Sequence, residues 1–230
     1  MSEPIQRLTG LIEDFLAAGG SVASIGQPGR DLARVIRDID AYMRRDRTPF
    51  RHSKPQATAA DNFLDKIAEH LKAGSPEGNA LDMFRARLSV EGYRPKSEQQ
   101  KEVGLYLLRA LRQHVEHGEH LTVARVGDEL AALASSTVID QQTEVSYLAS
   151  TSAARGGAST VLVFALLGHD LPARGSSIQG AINYYSSLGG RLQNAELGHM
   201  SAPASDLAAL RQQVGLVMSP SSKPSPSLDL

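Results

Sequence analysis

Ala158-Ser159-Thr160-Val161-Leu162-Val163-Phe164-Ala165-Leu166-Leu167-Gly168-His169 is an apolar run with no acid, lysine or arginine in it. Such a run is a buried helix or a buried strand, and periodicity alone does not separate the two. Ala and Leu outnumber the β-branched Thr160, Val161 and Val163, and helix-patterned segments lie on both sides, so composition favours helix. The run is too short to cross a bilayer, which takes roughly 20 apolar residues. It predicts the buried central helix of an all-α fold, a multi-helix bundle of about nine to eleven helices.

One pattern flanks the run on both sides: Ala154-Arg155-Gly156-Gly157-Ala158-Ser159 before it and Ala173-Arg174-Gly175-Ser176-Ser177 after it. Each places an arginine, a permissive glycine and hydroxyls at a predicted helix start, where free amides and the positive dipole end favour anions. No Lys-Ser or Lys-Thr follows the glycines, so neither is a P-loop. The plainer reading is that Gly and Ser simply start helices. Upstream, Leu121–Ala134 and Thr137–Ala153 are predicted as two more helices. Thr122 to Leu130 is similar to the first helix of a helix-turn-helix motif, but the second helix would bring Asp140 and Glu144 to a phosphate backbone, the wrong sign for DNA.

Downstream, helices are expected over Ser177–Leu188, from Arg191 towards Gly198, and after Ser205 or Asp206. Residues 219–230 form a Pro/Ser-rich tail. Its Leu228 and Leu230 are candidates for a partner subunit's groove.

In the N-terminal half, a helix from near Glu3 to Ala18 ends at Gly19-Gly20. A second carries the stripe Leu32, Val35, Ile36, Ile39, Met43. Thr58–Ala73 and Ala80–Leu88 are the next two. Ser97 and Gln100 form a capping box that opens a long helix through Val103, Leu107, Ala110, Leu111 and Val115. That helix closes on His114, His117 and His120 with Glu116 and Glu119, which suggests a metal site, but no distant ligand completes it, and no metal is assigned. Residues 44–54 are a basic loop broken by prolines: Tyr42 to Pro55 holds five basic residues against one acid. Arginine forks there suit phosphate oxygens, and Phe50 suits a base stack.

Net charge is −1 and there is no cysteine, which excludes disulfides, a thiol nucleophile and thiolate metal sites. The chain divides into a helical region over 1–120, a helical packing region over 121–218 continuous with it, and the tail. The start lacks the basic and apolar regions of a secretory signal, so the expected location is intracellular and cytoplasmic, with a virion as the other setting.

The sequence as a whole reads as a structural assembly protein of nucleocapsid or coat type. It would self-associate, in part through the tail, and bind single-stranded nucleic acid through Arg44, Arg45, Arg47, Phe50, Arg51, Lys54, Arg155 and Arg174, without a cofactor or a membrane. The alternatives are the helix-turn-helix regulator and a helical scaffold with no nucleic-acid role. An enzyme is not expected, because spacing reveals no carboxylate pair, no nucleophile with its base and no complete metal set.

Overall fold

The computed structural model describes residues 10–11, 13–26, 29–45, 57–93, 95, 98–139, 142–151, 173–176, 191–194 and 199–202. Helix α1 (residues 10–11 and 13–17) is followed by β1 (Gly20–Ile25), and then by α2 (Arg30–Arg45), α3 (Ala57–Ala68), α4 (Pro76–Glu91) and α5 (Glu98–His117). The chain then turns to strands: β2 (His120–Val126), β3 (Glu129–Ile139), β4 (Gln142–Ser150), β5 (Ala173–Ser176), β6 (Arg191–Asn194) and β7 (His199–Ala202). All seven lie in one sheet in the order β1-β2-β3-β4-β5-β7-β6. Neighbours are antiparallel except β4 and β5, which run parallel.

This corrects the all-α expectation. Leu121–Ala134, expected as one helix, is β2 and the start of β3, joined at Gly127-Asp128. Thr137–Ala153 supplies the end of β3 and then β4, so the helix-turn-helix reading has no helices to stand on. Ala173–Ser176 is strand rather than helix start, and Arg191–Asn194 is strand as well. The Ala158–His169 run lies outside the described residues, as do the tail and the segments around Ser177–Leu188 and Ser205.

The misreading of β2 and β3 has a physical cause. Leu121, Val123 and Leu133 belong to the main core, and Thr122, Ala124, Ala132 and Ala134, which alternate with them, are buried too. A strand covered on both faces loses its polar alternation and reads as continuous apolar sequence. Here the run is also rich in Ala and Leu, the strongest helix formers.

The helical layer follows the sequence closely. α2 buries Leu32, Val35, Ile36, Ile39 and Met43, the whole predicted stripe. α5 buries Leu107, Leu108, Ala110 and Leu111 against the sheet, and α4 buries Leu81, Phe84 and Leu88. Ser75-Pro76 starts α4, earlier than the expected Ala80: Ser75 Oγ accepts from Gly78 N at 3.1 Å, and Pro76 occupies the first helical turn.

Charged ties join the layers. Arg125 on β2 pairs with Asp38 on α2, and Arg87 on α4 pairs with Asp40 on α2. Gly20 begins β1 because a Cβ there would meet the carbonyl and ring of Phe15.

A candidate active site at the bulge of β4

β4 changes its pairing halfway along. On the β3 side, Val145 faces Ser136 and Tyr147 faces Ser135, so Ser146 is an inserted residue, a β-bulge. On the β5 side, Thr143, Glu144 and Val145 pair with Ala173, Arg174 and Gly175, and there the pairing ends. From Ser146 to Ser150, β4 therefore has no strand on its β5 side among the described residues. A bulge bends its strand, re-aims side chains and terminates pairing, and bulges recur next to active sites. Among the described residues, that edge has N–H and C=O groups without a strand partner, which an extended ligand can join.

The end of β4 is fixed in place. Thr151 is buried, its N–H donates to the Ala131 carbonyl at 2.8 Å, and its hydroxyl donates to the Leu130 carbonyl at 2.6 Å. β4 ends at this anchor, and the sequence continues through Ser152-Ala153-Ala154 to Arg155-Gly156-Gly157.

A carboxylate stands at the bulge. Ser146 Oγ donates to Glu119 Oε1 at 2.9 Å, while Glu119 Oε2 is buried and has no hydrogen-bond partner among the described residues. Glu119 sits between α5 and β2, after Gly118 has ended the helix with φ 69°. His114 Nδ1 lies 2.6 Å from the Glu119 carbonyl oxygen. Burial holds the imidazole below the usual histidine range, against the opposing pull of that carbonyl. A neutral ring donating Nδ1–H to the carbonyl positions the Glu119 backbone at neutral pH.

A cation lies over the next residue of β4. Tyr147, the residue after the bulge, packs on Tyr106 of α5 with ring centroids 6.0 Å apart. The Arg109 guanidinium lies over Tyr106, Phe63 and Tyr147 at 5.1, 5.7 and 6.0 Å. Next to Tyr147 in the register, Ser135 is fully buried and its Oγ has no hydrogen-bond partner among the described residues.

The sequence-derived site residues do not gather here. Arg44 pairs with Asp40 at 3.2 Å on α2, and Arg45 is the last residue of that helix. Arg174 is on β5, at the register position of Glu144. Arg47, Phe50, Arg51, Lys54 and Arg155 lie outside the described residues. Among the three histidines, His114 serves the Glu119 carbonyl, His117 is near Glu116 and His120 opens β2; no group of three metal-type ligands forms among the described residues.

Sequence reasoning touched Glu119 only as a metal carboxylate and missed Ser146, Tyr147 and Arg109. The available signal was Gly127-Asp128 between two apolar runs, a hairpin turn that would have turned the helix into strands.

No protein-family model matches the chain, and no curated protein matches it. Among solved structures, it aligns with a mutant AtaT toxin bound to the C-terminus of the antitoxin AtaR, at 16% identity over 49% of this chain and 84% of that one, with a TM-score of 0.39. AtaTR bound with AcCoA aligns at 14% identity over 48% and 85%, with a TM-score of 0.37. PaiA N-acetyltransferase from Thermoplasma acidophilum in complex with coenzyme A aligns at 10% identity over 79% and 96%, also with a TM-score of 0.37. At these scores no role passes from them to this chain. The nucleocapsid-like, virion-forming and scaffold readings, and the expectation that the chain is not an enzyme, are nonetheless corrected. The first three rested on a helical bundle that the sheet replaces, and the last rested on residue spacing along the chain, which does not show that Glu119 and Ser146 meet in the fold.

Proposed function

We propose that the chain is a group-transfer enzyme that takes an acyl group from an extended, amide-bearing, phosphate-bearing donor and passes it to an acceptor at the β4 bulge. The observation that carries this reading is the coincidence at Ser146 of the bulge, the end of β4–β5 pairing and the Glu119 carboxylate. In open sheets with parallel strands, ligands bind beyond the carboxyl ends of those strands, where neighbours diverge. β4 and β5 are the parallel pair, and from Ser146 to Ser150 β4 runs on beside β3 with no strand on its β5 side among the described residues.

Two features select the donor's chemistry. The open β4 edge suits an extended arm with amide groups, which can continue the ladder of hydrogen bonds. Past the carboxyl end of that strand comes Arg155-Gly156-Gly157-Ala158-Ser159, which suits phosphates: glycines allow close approach, and an arginine forks onto phosphate oxygens. Acetyl-CoA combines an amide-bearing arm with phosphates, and AcCoA is bound in one of the structures named above. It is the first probe.

Glu119 is the proposed base. Its Oε2 accepts the proton that the acceptor amine loses as its nitrogen bonds to the acyl carbon. The acyl–sulfur bond breaks, and the departing thiolate takes up a proton to leave as the free thiol. The hydrogen bond from Ser146 keeps the carboxylate at the bulge. The test is calorimetric titration of the full chain with acetyl-CoA, followed by a thiol-release assay with mixed amines. Saturable binding is expected, weakened about tenfold or more by Arg155→Ala through the loss of charge-assisted hydrogen bonds. Glu119→Gln should leave binding intact and lower turnover by roughly 10²-fold or more. A wild-type chain that fails to bind acetyl-CoA rejects the donor.

A further inference from the structure

We infer that the acceptor carries a carboxylate as well as an amine, and that Arg109 recognises the carboxylate. This rests on the acceptor position proposed above. Arg109 projects from α5 into a ring-lined place built by three elements, with Phe63 from α3, Tyr106 from α5 itself and Tyr147 from β4. Aromatic faces hold the guanidinium by cation–π attraction and accept none of its N–H groups in the plane. No carboxylate or carbonyl accepts from Arg109 among the described residues.

Its neighbours differ. Arg34, Arg44, Arg85, Arg87, Arg112 and Arg125 each have a carboxylate. Arg30 and Arg37 have no ion pair among the described residues, but water solvates them because both are exposed. Arg109 is half-buried, stacked and still without an acceptor for its fork among the described residues. A stacked guanidinium is pre-organised for two parallel hydrogen bonds to one carboxylate.

Charge placement selects the rest of the ligand. Glu119 is held by Ser146, and Arg109 lies over Tyr147, the next residue of β4. An anion and a cation thus stand over consecutive positions at the bulge. A molecule with an amine for Glu119 and a carboxylate for Arg109 satisfies both. A polyanion would face Glu119, and a polyamine would face Arg109, each leaving one charge uncompensated.

The test is calorimetric titration without any donor, using the full chain and a panel of free amino acids with their matching carboxamides. Wild type should bind at least one free acid about tenfold or more tightly than its amide, the loss of a charge-assisted bond. Arg109→Gln should erase that preference. Arg109→Lys, which keeps the charge without the fork, should restore only part of it.

Acetyl-CoA titration should be the same for all three proteins. Equal binding of acids and amides, a preference that survives Arg109→Gln, or no binding by any panel member overturns the assignment. Acid preference without acetyl-CoA binding would instead reject the donor and leave Arg109 in its role.

Discussion

Arg87 and Arg109 occupy the same helical layer, and each stacks on an aromatic ring, Arg87 on Phe84 at 5.5 Å and Arg109 on three rings. They differ in what faces the guanidinium edge. Arg87 pairs with Asp40 on a different helix and with Glu91 one turn on, so its charge is consumed within the fold. Arg109 has rings and, among the described residues, no acceptor. Stacking alone therefore does not distinguish a structural arginine from a recognising one; the hydrogen-bond complement does.

The largest effect should come from breaking the satisfied arginine. The Arg87 and Asp40 side chains are only 17% and 14% exposed, so Arg87→Met strands a buried carboxylate. The expected loss is about 3 kcal/mol of unfolding free energy in urea, the low end for a broken buried pair because Arg44 still reaches Asp40 at 3.2 Å. A loss below about 1 kcal/mol would mean that the pair is solvated. Replacing both partners, Asp40→Leu with Arg87→Met, should recover most of the deficit, since apolar substitution of a whole buried pair is often neutral. Arg109→Met should cost roughly 1 kcal/mol or less, because only cation–π contact is lost. A cost as large as that of Arg87→Met would make Arg109 a structural residue and collapse the contrast.

The smallest effect concerns His114, a third half-buried group that carries charge only when protonated. Burial lowers its folded pKa below the ordinary 6.5. The unfolded chain therefore binds this proton more readily. The stability tied to the neutral ring is complete above pH 6.5, declines as pH falls between 6.5 and the folded value, and is constant below that. Urea midpoints measured from pH 8 to pH 5 should fall in that window for wild type and fall less for His114→Asn.

The contrast between arginines also explains what the sequence could reveal. α2 was legible because one face carries Leu32, Val35, Ile36, Ile39 and Met43 while Arg30, Arg34 and Arg37 face water. The period of a half-buried helix survives in the residue order. β2 and β3 were not legible, because burial on both faces erased their period and Ala124, Ala131, Ala132 and Ala134 imitate a helix. Tertiary burial overrode local preference there.

The residue types of Arg155-Gly156-Gly157, which suit an anion, were visible, but their place after a strand was not. Arg109 had no sequence signal: the rings that mark it are at 63, 106 and 147, and only folding brings them together. Glu119 was conspicuous among histidines, which drew attention to metal and away from Ser146, a residue whose importance depends on a register shift that no sequence pattern announces.

The pairing of β1 with β2 joins Gly20 to Val126 and Ile25 to Leu121, with α2, α3, α4 and α5 all lying between them in the chain. In kinetic terms this is a late closure. β2, β3 and β4 are close in sequence and can zip locally, whereas β1 must wait until the intervening helices have brought its ends within reach. Pulse-labelled amides of Val22 and Ser24 should thus gain protection after those of Val123 and Leu133. During refolding, β2 would be an uncovered sheet edge, and that interval is when the chain is most exposed to pairing with another copy of itself.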